Sequence, residues 1–175
     1  MPRVRLNHPA LSQIATTPEI LRLLMANISE TQSAWKPTPD RYSIGEVVEH
    51  LSHVEGHCYR HRLEKILAEE NPAIEGYDQN AYYAQGLYSN RDAEESFAHF
   101  EEQRDDNVVL LSTLDEESLQ RLARHEKDGL ITLEHMLNEW AFHDLGHVRQ
   151  ITELVRAQVY YPNIGPWKLK YDVRP

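Results

Sequence analysis

The sequence predicts an all-α protein, an antiparallel four-helix bundle with a long connection between helices 2 and 3, a short extra helix and an extended C-terminal tail. Three observations carry this expectation. Long segments place apolar residues three and four apart, capping residues and prolines punctuate those segments, and no stretch shows convincing strand alternation. The chain has 175 residues and no internal repeat or second composition regime, so residues 1–175 are read as one domain.

The first helix is expected to start at Thr17-Pro18-Glu19, with Thr17 as cap and Pro18 in the first turn, and to carry Ile20, Leu21, Leu23, Leu24 and Ile28 as an apolar stripe. Pro37 and Pro39 end it. Ser43-Ile44-Gly45-Glu46 is a capping box that opens a second helix running to about residue 70, before Pro72. Residues 71–90 form a long link with Gly76, Gly86 and the tyrosines Tyr77, Tyr82, Tyr83 and Tyr88, a length that marks a crossover or a functional loop. Asp92 caps a third helix carrying Phe97, Phe100, Asn107, Leu110, Leu111 and Leu114, and Asp115 caps a short helix through Leu122. Residues 121–129 read as a loop. The best-defined helix spans about 132–158, with Leu133, Met136, Leu137, Trp140, Asp144, His147, Val148, Ile151, Leu154 and Val155 on one face. The tail from residue 160 is aromatic and punctuated by proline, and it reads as an extended segment.

Composition narrows the function. Asp plus Glu outnumber Lys plus Arg 28 to 18, a net charge of −10 that disfavours a phosphate-neutralising surface, so no nucleic-acid partner is expected. No apolar run reaches the roughly 20 residues of a membrane span. The N-terminus lacks a signal-peptide pattern, and Cys58 is the single cysteine; together these predict a cytoplasmic chain without disulfides. Ten histidines are the outlier and direct attention to metal or acid–base chemistry.

His143 and His147 lie one helical turn apart beside Met136, Trp140 and Leu154, so both can grip one ion at the edge of the buried face. A pair of core-edge histidines bonded to neighbours fits that spacing equally well. A third ligand has to come from another helix, because one helix cannot surround an ion. His50, His53, His57 and His61 form one stripe on the second helix, spread over about 16 Å at about 1.5 Å per residue. His50 is the best placed, within the apolar run Val47, Val48, Leu51 and Val54. His57 and His61 read as solvent-side or interfacial, and His53 as solvent-side or an outer partner of the site. Asp144 replaces the glutamate of the His-Glu-x-x-His peptidase pattern, which disfavours peptidase chemistry and leaves it a role in orienting a neighbour.

Trp35, the stretch from Tyr42 through Ser43, Glu46 and His50 to Leu51, the run Gly129-Leu130-Ile131-Thr132-Leu133, and His143-Asp144-x-x-His147-x-x-Gln150-Ile151 give the chain a resemblance to the DinB/YfiT-like metalloprotein superfamily. The resemblance implies a four-helix bundle with a long link between helices 2 and 3, and His50, His143 and His147 as ligands of one divalent transition metal. Zn or Ni leads, with Fe, Mn and Cu as other candidates. It also implies a homodimer and a small-molecule substrate. The leading expectation is a thiol S-transferase, in which an ion on three imidazoles lowers the pKa of a low-molecular-weight thiol. A metal-dependent hydrolase using the same ligands, or a non-catalytic metal-binding bundle, are the alternatives.

Overall fold

The computed structural model describes residues 7–88 and 92–175. The signal-peptide reading of residues 1–6 and the end of the 71–90 link, at 89 and 90, lie outside them. Helix α1 (Pro9–Met25) starts well before the expected Thr17: the His8 side chain accepts from the Ala10 amide, and Pro9 takes the first turn. Thr17 is not a cap but a buried residue whose hydroxyl donates to the Gln13 carbonyl. Pro18 therefore sits inside the helix, where it has no N–H to give to Ile14 four residues back. The bundle answers this gap from elsewhere: the Arg104 Nη1 group donates to the Ile14 carbonyl at 2.6 Å.

A short α2 (Glu30–Ala34) follows, opened by the Ser29–Gln32 capping box. Ser43 and Glu46 then cap α3 (Ile44–Val54) as expected, and a π-helical turn over Glu55–Arg60 carries it into α4 (His61–Ala68). These three pieces make the long second helix of the bundle. The link contains a two-residue strand β1 (Ala73–Ile74) and α5 (Gln79–Ala84). Asp92 caps α6 (Ala93–Leu111), and Asp115 caps α7 (Glu116–Leu119). Thr132 caps α8 (Leu133–Val155), after which a π turn and two short 3-10 segments lead into the tail, so part of what was expected to be extended is turned.

The expectation of no strands needs correcting. Residues 121–129 are not a plain loop: β2 (Leu122–His125) and β3 (Gly129–Thr132) form an antiparallel hairpin, and β1 pairs parallel to β2. Gly129 takes a positive φ of 79° at the start of β3, a conformation that favours glycine. Arg121 fastens this small sheet to the bundle by donating to the carbonyls of Ile66 and Glu69 at the end of α4.

Helix directions explain the long link. Side-chain bonds from the second helix to α6 climb both helices together, with Ser52 at His99 and Glu55 at Arg104 and Asn107, so these two run parallel. A strictly alternating antiparallel bundle is thereby ruled out, and the link has to travel back along a helix about 37 Å long. The apolar core falls into two clusters. One holds Ile14, Tyr59, Leu63, Ile66, Leu119, Leu133, Leu137 and Trp140; the other holds Leu21, Ile44, Val48, Leu51, Phe100, Ile151 and Leu154. Every long helix places polar residues where the clusters meet: Thr17; His50, Ser52 and Glu55; Arg104 and Asn107; His143, Asp144 and His147. No helix among the described residues is long and apolar enough to cross a membrane.

Candidate metal centre

The polar layer gathers the three predicted ligands. Among the described residues, His50, His143 and His147 form the one group of His, Cys, Asp or Glu placed to share an ion, with ligand atoms all within 4.8 Å of one another. His143 and His147 meet because they lie one turn apart on α8, and His50 faces them from α3. The Nε2 of His143 stands 3.2 Å from that of His50 and 3.1 Å from that of His147.

The partners of the other ring nitrogens indicate what those Nε2 atoms present. With the Gln150 amide turned so that Oε1 faces the ring, His147 Nδ1 lies 2.9 Å from an atom that can only accept, so Nδ1 carries the proton and Nε2 its lone pair. His50 Nδ1 lies 3.2 Å from the Tyr88 hydroxyl, which lies 2.5 Å from that of Tyr77, which lies 2.9 Å from His53 Nδ1. The chain closes in either direction; in the one that suits a metal-binding His50, His50 donates to Tyr88, Tyr88 to Tyr77, and Tyr77 to His53. His50 Nε2 then also presents a lone pair. A proton on His143 Nε2, the atom both contacts share, can serve only one of the two facing lone pairs, whereas a cation among the three nitrogens satisfies all of them. A tetrahedral centre with metal–nitrogen bonds of about 2.0–2.1 Å would space its donors by about 3.3–3.4 Å. The donor set fits a divalent transition metal, and the bonds to Gln150 and Tyr88 are the outer contacts that orient such ligands.

Electrostatics agree. Burial, then His147, His143 and His53, push His50 down to about 2, and burial, then His147 and Arg104, push His143 down to about 3. His147 is lowered mainly by burial, against the opposing effects of Gln150 and Asp144. All three rings are thus neutral at neutral pH, the form that binds metal. His143 Nδ1 is buried with no hydrogen-bond partner among the described residues.

Beside the triad lies a charged node. Arg104, 1% exposed, is bidentate to Glu55 at 2.7 and 2.8 Å and to Asp144 at 2.7 and 3.1 Å, and Asn107 adds a 2.8 Å bond to Glu55. Asp144 therefore does orient a neighbour, the guanidinium of Arg104. Of the other histidines, His57 and His61 are exposed as expected, and His57 stacks on His53 at 4.2 Å. His53 proves to be linked to the site through the two tyrosines. Sequence reasoning missed Arg104, Glu55 and the roles of Tyr77 and Tyr88. The available signal was a charged residue filling the helical step between Phe100 and Asn107, where the buried stripe calls for an apolar one.

Comparison with known proteins places this site in a family. A model described as the DinB superfamily matches residues 13–151. The chain is 32% identical over 116 residues to the "Putative metal-dependent hydrolase YfiT" of Bacillus subtilis, a match spanning 66% of this chain and 65% of that one, so just under two thirds of that relative's length is covered. It is 24% identical over 149 residues, 85% of each chain, to the "Putative metal-dependent hydrolase OB0782" of Oceanobacillus iheyensis. A solved structure of YfiT from Bacillus subtilis, described as "a probable metal-dependent hydrolase with an unusual four-helix bundle topology", superposes with a TM-score of 0.77 at 26% identity, covering 90% of this chain and 92% of that one. The family match, the bundle and the histidine cluster agree, and the chain belongs to the DinB superfamily.

Proposed function

We propose that this chain is a metal-dependent hydrolase whose ion is held by His50, His143 and His147. The observation that carries the reading is the convergence of three neutral imidazoles with no fourth His, Cys, Asp or Glu joining them among the described residues. Such a donor set leaves coordination positions for water and substrate, whereas a structural site is closed by four protein ligands. An ion bound there supplies Lewis-acid polarisation of the scissile group and activation of water at neutral pH. The chain's own residues do the positioning. Gln150 and Tyr88 hold the rings of His147 and His50 by their far nitrogens. Tyr42, Tyr77, Tyr82, Tyr83 and Tyr88 pack against one another and the histidines from the link side, screening His50 from solvent. A cavity of about 580 Å³ lined by Arg41, Tyr42, Gly146, Arg149, Gln150 and the tail residue Arg174 has room for a small substrate; it meets the site through Gln150, the partner of His147, and none of the three histidines lines it.

The names of the relatives favour hydrolysis over the thiol transfer expected from sequence. The chain's own thiol is no candidate nucleophile, since burial pushes Cys58 up to about 11. The test is a panel of ester, amide and phosphoester substrates offered to protein loaded with Zn, Ni, Mn or Fe. Hydrolysis that disappears on chelation and in His143→Ala is the expected result. A loaded protein with an intact triad that hydrolyses none of them, yet conjugates a low-molecular-weight thiol to an electrophile, would replace this reading with the transferase.

A further inference from the structure

We propose that the Arg104–Glu55–Asp144 node is a positioning device for the metal ligands, fixing the second helix and α8 in the register at which His50 meets His143 and His147. The inference rests on the metal-binding reading of the triad and does not depend on the reaction. Arg104 reaches all the other long helices at once: the Ile14 carbonyl on α1, Glu55 at the start of the π turn, and Asp144 on α8. Two of these anchor points are tied to the ligands by the chain itself. Asp144 lies between His143 and His147, and Glu55 lies five residues after His50, where a π turn begins. π turns are concentrated at functional sites, and this one starts at the residue that grips Arg104.

The details set the node apart from an incidental buried ion pair. Pro18 withholds an amide from Ile14, so the carbonyl that receives Arg104 Nη1 is made available by the sequence of α1. The guanidinium also stacks over Phe100 at 4.7 Å and Trp140 at 5.3 Å, which leaves it little freedom to rotate. For stability alone, an apolar set of similar volume would serve as well or better. A role in placing ligands gives the polar set a purpose that packing does not.

The experiment separates placement from stability. Purified full-length protein is titrated with Co2+, reading the visible d–d absorption for coordination geometry and its titration for affinity. Unfolding of the metal-free form is followed in parallel. Two variants are compared with wild type: the triple substitution Glu55→Leu/Arg104→Met/Asp144→Leu, and Asp144→Asn, which keeps the shape and one accepting oxygen toward Arg104. The expected result is cooperative unfolding in both, with Co2+ affinity lowered by about 10-fold or more and an altered d–d spectrum in the triple variant, the scale of losing an outer partner of a metal site. A smaller shift in the same direction is expected in Asp144→Asn. Should the triple variant fail to fold, Asp144→Asn decides. Wild-type affinity and spectrum in a folded variant overturn the proposal. A wild-type protein that shows no Co2+ spectrum would instead overturn the metal site itself, an outcome distinguishable from failure of the node.

Discussion

The two apolar clusters and the polar layer between them are built on the same four helices by different rules. In the clusters, Leu63, Ile66 and Leu137 at one end and Leu21, Leu51 and Leu154 at the other are buried without polar atoms, and their stabilisation scales with area removed from water. In the layer, the His50 imidazole, two carboxylates, a guanidinium and an amide are as deeply buried, His143 and His147 are half-buried, and each needs a specified partner. The ends tolerate any well-packed apolar residue of similar volume. In the middle, removing one member of the buried charged node leaves its partners unsatisfied, whereas replacing the whole set together need not cost stability. The fold's energy thus lies mainly at the ends, while its chemistry lies in the middle.

That contrast can be broken at either place. Removing a ligand is expected to have the largest effect: His147→Ala should weaken Zn2+ or Co2+ binding by more than the roughly 100-fold that loss of an outer partner produces, while unfolding of the metal-free protein shifts little. Competition titration against a chelator of known affinity checks this. In the apolar end the pattern should invert. Leu63→Ala should destabilise by about 2–5 kcal/mol in urea unfolding and leave the metal affinity of the folded fraction unchanged. A Leu63 variant that loses metal would show that the two regions are not separable.

Smaller effects sharpen the boundary. Gln150→Ala, which frees His147 Nδ1, should lower metal affinity by about 10-fold with little change in unfolding. Acidity supplies a further handle. His50 and His143 are held near 2 and 3 against an ordinary value of 6.5, so below that value the unfolded chain binds protons that the metal-free fold refuses. Their contribution is fully present above about pH 6.5 and is lost as pH falls toward the folded-state values. Tm of chelated protein measured from about pH 8 to about pH 5 should fall on the acid side, and His50→Gln/His143→Gln should flatten that slope. The smallest change is expected at the helix start far from the layer, where Ser43→Ala removes the cap of α3 at about 1 kcal/mol by thermal unfolding.

The bundle was legible where local chemistry acts alone. Ser43, Asp92 and Asp115 announce their helices because a short polar side chain beside free amides is a local event, and the α8 stripe shows because every turn repeats it. The hairpin was hidden, since its four-residue strands are too short for alternation to register against the surrounding helices. Pro18 misled for a physical reason: proline in a first turn is the common case, and its tolerance here depends on Arg104, distant in sequence. The triad could be proposed because each histidine marks its own helix face. The tyrosine chain from His50 to His53 could not, because it depends on how residues 71–88 fold back over the site.

The central claim is that one ion bridges the start of the second helix and the middle of α8. Elemental analysis of purified wild type, His50→Ala and His143→Ala, prepared identically, tests it most directly. About one divalent transition-metal ion per wild-type chain, lost from both variants, is the result this account predicts. Stoichiometric metal retained by both variants would contradict it.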